Sequence, residues 1–128
     1  MSEPAFGLYT IGQVLVPVSE IERATTFYRE ALGMRFLYAF PGIAFFDADG
    51  VRLYLAQPES PDFAGRATLY FRVADITTAV GTLEGRGVVF ASPPHVVHRD
   101  AAHELWMAFT TDPDGNNIAL MAEVPAGG

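Results

Sequence analysis

One pattern runs through this chain twice. Laid over residues 68–83, residues 13–28 set Val18 on Val73, Glu20 on Asp75, Ile21 on Ile76, Ala24 on Ala79 and Tyr28 on Leu83. A later block, Asp49-Gly50-Val51-Arg52-Leu53-Tyr54-Leu55, lies on Asp114-Gly115-Asn116-Asn117-Ile118-Ala119-Leu120. The register differs by ten residues between the two blocks, which a longer loop in the second copy absorbs. Repeated units pack against each other, so a site between the copies is expected to be lined by matched positions from each.

The chain has 128 residues, enough for one domain or for two half-domains with a common core. Half of it is hydrophobic and 18% is charged, so it can bury a core and is not expected to be disordered. A formal charge of −7 opposes a nucleic-acid partner, which needs a basic face, and disfavours an anionic membrane surface. With no cysteine, disulfides, thiolate metal sites and a cysteine nucleophile are excluded together. No charged segment followed by an apolar run opens the chain, so no signal peptide is expected. Nor is there a stretch of about 20 apolar residues for a membrane helix. A cytoplasmic location is the resulting expectation.

Residues 1–8 read as a lead-in and 125–128 as a tail. Residues 11–18 are β-branched and aliphatic and predict a strand. Ser19 is then placed to cap a helix in which Ile21, Ala24, Tyr28 and Leu32 recur at helical spacing, ended by Gly33. Strands are predicted over 35–40, 43–47 and 51–56, separated by Pro41-Gly42 and Asp49-Gly50 turns. Residues 58–65, broken by Pro58, Pro61 and Gly65, form the linker. The second copy repeats the order with a strand over 67–74 and a helix from Asp75 that ends at Gly85 and Gly87. Further strands are predicted over 88–91, 96–99, 104–111 and 117–123. The expectation is a single α+β domain of two tandem β-α-β-β-β modules, 9–57 and 66–124, forming a curved, cup-like mixed sheet.

Period-two alternation assigns faces. Val14, Val16 and Val18, with Leu69, Phe71 and Val73 as mates, are expected beneath the helices, as are Leu53, Leu55, Ile118 and Leu120. The opposite face then carries Gln13, Arg52, Tyr54, Thr68, Tyr70, Arg72, Asn117 and Ala119. That mixture of polar and aromatic side chains suits a concave ligand surface.

The repeat, the Phe27-Tyr28 and Leu32-Gly33 pairs and the Asp112-Pro113-Asp114-Gly115-Asn116 run together resemble the vicinal oxygen chelate superfamily. This group includes glyoxalase I, bleomycin-resistance proteins and extradiol dioxygenases. The resemblance spans Ile11 to Glu123 and implies the glyoxalase/bleomycin resistance/dioxygenase fold; the fold hosts many functions and does not select one. It also implies a small-molecule ligand and a homodimer in which units from two chains complete each other's cup. Metal-dependent members hold one divalent ion through the first and last strands of each unit. The equivalent positions here are Gln13, Tyr54, Thr68 and Ala119, a poor set: threonine is a weak neutral donor and alanine offers nothing. No metal or other cofactor is therefore expected at those positions.

A relocated metal site would draw on His98, His103 and Glu104, since two imidazoles and a carboxylate suffice for zinc. On a regular strand His95 and His98 face opposite ways, while His98 and His103 meet across a hairpin. The plainer reading is a polar loop at the cup's rim. Arg52 and Arg72 either clamp a carboxylate or phosphate or pair with Asp47, Asp49 or Asp75 at the surface. Tyr54 and Tyr70 line the cup or an interface, and Trp106 borders the cavity or packs in the core. The Asp112–Asn116 run is read as a structural turn. These residues suggest a metal-independent binder of a small organic molecule; His103 or Glu104 would serve as base if a proton is moved. The alternatives are a drug- or metabolite-sequestering protein without catalysis and a glyoxalase-type lyase or isomerase with relocated metal ligands.

Overall fold

A computed structural model describes residues 6–8, 10–58 and 66–126. Most of the expected linker, 59–65, lies outside the described residues, as does the start of the lead-in. The first module contains β1 (Gln13–Pro17), α1 (Ile21–Thr26), β2 (Arg35–Phe40), β3 (Ile43–Ala48) and β4 (Val51–Ala56). The second contains β5 (Thr68–Arg72), α2 (Ile76–Gly85), β6 (His95–Arg99), β7 (His103–Thr111) and β8 (Asn117–Pro125). Each module makes one four-stranded sheet, ordered β1-β4-β3-β2 and β5-β8-β7-β6. In both, the first strand runs parallel to the last and the remaining neighbours are antiparallel. No helix among the described residues is long and apolar enough to cross a membrane.

Local chemistry explains most of these boundaries. The β3–β4 hairpin turns on Asp49 (φ 56°) and Gly50 (φ 95°). Two successive positive φ values match the right-handed twist of the flanking strands, and Asp-Gly adopts them at little cost. Helix α2 starts at Asp75, whose carboxylate accepts from Thr78 N at 3.1 Å and from the Thr78 hydroxyl at 3.0 Å. Helix α1 starts differently from the expected Ser19 cap. Its N-cap is Glu20, without a side-chain cap, and Ser19 turns to the second module, its N–H and hydroxyl both donating to Asp114. A distant carboxylate has outcompeted the helix's own N–H groups. Beyond Thr26 the helix widens into a π-helical turn over Phe27–Ala31, closed by Leu32 N donating to Phe27 O at 3.0 Å.

The strand expected over 88–91 is not formed. Only Ala91 N, bonded to Phe109 O at 2.9 Å, and Val89 O, accepting from the Thr110 hydroxyl at 2.6 Å, tie it to β7. Pro93 and Pro94 follow after Ser92 and have no N–H to continue a ladder, so pairing begins at His95.

The two modules share one interior. Val16, Tyr28, Phe46, Leu53 and Leu55 of the first pack with Ile118 of the second, and Leu69 and Phe71 of β5 lean on the same cluster. Ile76, Val80, Leu83, Ala108, Leu120 and Ala122 form the adjoining cluster, against which Phe27 and Leu32 of the first module pack. The helix-side rows of both sheets therefore face each other through the helices. What packs between the copies is this apolar core, and the opposite rows lie on the other face of each sheet.

A buried polar seam crosses the same boundary. Tyr28 Oη donates to Asp112 Oδ2 at 2.8 Å. Asn116 Nδ2 donates to Pro17 O at 2.9 Å and to Asp112 Oδ2 at 2.8 Å, while Asn116 Oδ1 accepts from Ala67 N at 2.7 Å. The Asp112–Asn116 run is thus a structural joint as well as a turn.

Candidate ligand-binding site

The outward face of the first sheet is built in three rows across its strands. Cross-strand partners share a face. The pairings place Gln13, Arg52, Asp47 and Arg35 in one row, Leu15, Tyr54, Phe45 and Tyr38 in the next, and Pro17, Ala56, Ile43 and Phe40 in the third. The middle row is an aromatic platform. Tyr54 stacks on Phe45 with centroids 5.4 Å apart and planes at 19°, and Tyr38 lies 4.8 Å from Phe45 at 33°. Phe40 meets Tyr38 edge-on at 5.7 Å. These rings face solvent: Tyr38 is 41% and Phe40 61% exposed, and Leu15 beside them 38%. Beyond the platform, Leu15, Pro17, Ile43 and Tyr54 line a groove of about 480 Å³.

Tyr38 reaches this face through a bulge. Phe36 pairs with Phe46 on the core side, yet Tyr38 pairs with Phe45 on the outer side, so Leu37 is the extra residue. An equivalent event on β6 overturns an expectation. His95 pairs with Met107 and His98 with Leu105, with Val97 extra, so the two histidines share one face instead of opposite ones.

The outward face of the second sheet presents Thr68, Tyr70 (56% exposed) and Arg72 on β5, beside Asn117, Ala119 and Met121 on β8. Asn117 Nδ2 donates to the Thr68 hydroxyl at 3.3 Å. Ala119 lies on this face but is fully buried between its cross-strand neighbours Tyr70 and Phe109. Gln13 and Tyr54 therefore occupy one outer face and Thr68 and Ala119 the other, and the four do not meet within one chain. Their chemistry does not fit a divalent ion either. Ala119 has no donor atom, Thr68 offers a neutral hydroxyl already engaged by Asn117, and the Tyr54 ring is stacked on Phe45.

The relocated set is not assembled. Glu104 is on the core-side row, bonded through Oε2 to Arg99 Nε at 2.7 Å and through Oε1 to Trp106 Nε1 at 3.2 Å. His103 is on the other side of β7. His98 Nε2 stands 3.8 Å from Asp100 Oδ2, and Asp100 Oδ1 accepts from His103 N at 2.7 Å and from Ala102 N at 2.8 Å. The His103 and Ala102 amides hold the Asp100 carboxyl below its ordinary pKa. Among the described residues no three histidine, aspartate or glutamate side chains converge on a point that would hold an ion. Trp106 packs against the second core cluster, so its geometry is that of the core reading. His103 and Glu104 do not share a face and form no acid–base pair.

The two arginines part company. Arg72 lines a cleft between the modules with Met34, Phe71 and Leu83, of about 330 Å³. Arg52 belongs to the platform: its Nη1 donates to Tyr38 Oη at 3.1 Å and its Cζ lies 5.8 Å from the Phe45 centroid. Neither forms an ion pair among the described residues, so of the two alternatives the pairing with Asp47, Asp49 or Asp75 is not made. Sequence reading missed Tyr38, Phe40 and Phe45.

Residues 10–120 match the family model of the Glyoxalase/Bleomycin resistance protein/Dioxygenase superfamily, and the chain belongs to that superfamily. Solved structures agree on the fold. The chain is similar to a glyoxalase/bleomycin resistance protein/dioxygenase from Nocardioides, with 23% identity, a TM-score of 0.75 and coverage of 97% of this chain and 89% of that one. A lactoylglutathione lyase from Agrobacterium tumefaciens shares 18% identity over 91% and 95% of the two chains, with a TM-score of 0.76. The antibiotic-binding protein TnmS3 from Streptomyces sp. CB03234 shares 26% over 94% and 100%, with a TM-score of 0.74. No curated protein sequence matches the chain.

Proposed function

We propose that this protein binds a planar aromatic small molecule and holds it without chemical change. The bowl is made by the outer face of the first module of one chain and that of the second module in a second copy. The observation that carries this reading is the aromatic row Tyr54, Phe45 and Tyr38 with Phe40 at its end, laid open on an outer sheet face. Rings stacked on one another turn their edges outward, and a ligand ring lying across those edges makes edge-to-face pairs, each contributing about 0.5–1.5 kcal/mol beyond burial. Of the two bases the sequence suggested, Glu104 is tied to Arg99 and Trp106 on the core side, and His103 sits at the β6–β7 turn. The likeness to an antibiotic-binding protein is consistent with a binding role, and the likeness to a lactoylglutathione lyase shows that the same fold also carries catalysis.

The second copy enters because the outer rows belong to two separate sheets within one chain. Tyr38, Phe40 and Leu15 on one face and Tyr70 on the other leave apolar surface that mutual docking of two copies would cover. The test is a titration with a fluorescent polycyclic aromatic, alongside light scattering. Phe45→Ala and Tyr54→Ala should each weaken binding by about tenfold or more, and the molar mass should be twice 13.9 kDa. Affinity unchanged in both variants would remove the platform from the reading. A monomer that binds equally well would remove the second copy.

A further inference from the structure

Resting on the platform reading, we infer that the bound aromatic is an anion, its acidic substituent received by Arg52. The row bordering the aromatic one reads Gln13, Arg52, Asp47, Arg35 across the sheet. It holds two guanidinium groups and one carboxylate, a net positive edge in a chain whose formal charge is −7. Directly opposed Arg and Asp on neighbouring strands ordinarily form an ion pair. Here they do not. Asp47 Oδ1 accepts from Gly50 N at 3.0 Å, in the β3–β4 turn, and no carboxylate among the described residues lies within ion-pair distance of Arg52 or Arg35.

Arg52 is nonetheless placed. The Tyr38 hydroxyl, 3.1 Å from Nη1, and the Phe45 ring, 5.8 Å from Cζ, hold its guanidinium beside the platform through neutral partners. A guanidinium has five donors in a planar fork, and the hydrogen bond to Tyr38 occupies one. A planar ligand lying across the outward edges of Tyr54 and Phe45 would bring its rim to the remaining donors. A carboxylate, sulfonate or phenolate there accepts charge-assisted bonds, and Gln13, Arg52's partner on β1, can donate from its amide. Covering Arg52 with a neutral or cationic ligand would instead bury a cation without a counter-charge. The same edge therefore selects against bases.

Three isosteric probes read this directly on the full-length protein by calorimetry: 2-naphthoate, 2-naphthamide and 2-naphthylmethylammonium. The naphthoate should bind at least about tenfold more tightly than the amide, and the ammonium most weakly. Arg52→Gln should abolish that preference, weakening the naphthoate and tightening the amide; Asp47→Asn should enlarge it. Amide or ammonium binding as tight as naphthoate, yet weakened by Phe45→Ala, would overturn the charge assignment and leave the platform standing. A naphthoate preference that survives Arg52→Gln would overturn the role of that side chain. Failure of all three probes, or binding indifferent to Phe45→Ala, would bring down the platform reading and this inference with it.

Discussion

Tyr28, in the π-helical turn of the first module, donates its hydroxyl to Asp112 of the second at 2.8 Å, with both residues buried. The same carboxylate accepts from the backbone N–H groups of Asp114 and Asn116 and from the Asn116 amide. Tyr28→Phe keeps the ring and deletes one charge-assisted bond. It should cost about 1.5–3 kcal/mol, read as a lower urea midpoint at unchanged slope. An unchanged midpoint would mean that the ring's packing carries the whole contribution.

Burial, and then the charge of Asp112, push the Tyr28 pKa well above its ordinary value of 10.0. The folded state thus favours the protonated hydroxyl more than the unfolded chain does. That contribution is complete below pH 10.0 and is lost as pH rises above it. Denaturation between pH 9 and 11 should show the native protein losing more stability than Tyr28→Phe; equal slopes would contradict the assignment.

Asn116 joins three partners that nothing else connects: Pro17 O, Ala67 N and Asp112. Asn116→Ala leaves the part-buried Pro17 carbonyl and Ala67 N–H short of partners. A loss of about 2–4 kcal/mol follows from these orphaned groups, more than for Tyr28→Phe. Calorimetry that finds the two variants equal would place the seam's strength elsewhere.

The Asp75 cap is an exposed carboxylate whose pKa is lowered, first by the Thr78 N–H and then by the Thr78 hydroxyl. A depressed value means the contribution is present above the unfolded pKa near 3.8 and lost as pH falls through the lower folded one. Asp75→Ala should therefore be less stable than the native protein at pH 7, and the gap should shrink below pH 3.8. A gap independent of pH would indicate that the charge plays no part in the cap.

Chelator-treated protein mixed with nickel, zinc or manganese should show no rise in melting temperature, because Ala119 and the Asn117-bound Thr68 hydroxyl offer an ion no charged donor. A concentration-dependent rise, abolished by His98→Ala and His103→Ala, would establish a site through side-chain rearrangement.

Much of the fold could be read along the chain because its signals are local. The bounds of β2 and β4 follow from Pro41-Gly42 and Asp49-Gly50 and coincide with residues 35–40 and 51–56. What escaped was decided by distant or cooperative events. Ser19 has the chemistry of a cap but finds Asp114 from the other module. Tyr38 and His98 reach their faces only because Leu37 and Val97 bulge, and period-two counting carries no warning of an inserted residue. Phe45 was hidden for another reason: β3 is apolar on both sides, so nothing marks which ring is core and which is platform.

The placement of Ile118 among the first module's core residues has a consequence for how such a protein diversifies. Neither repeat owns a complete hydrophobic centre, so a severed half would lose the wall that closes it. Side chains such as Tyr54 and Arg52 alternate along one strand with Leu53 and Leu55, which serve that centre. Successive residues thus answer to separate demands, and exchanges at the even-numbered positions of β4 alter the outer surface without disturbing what keeps the molecule assembled.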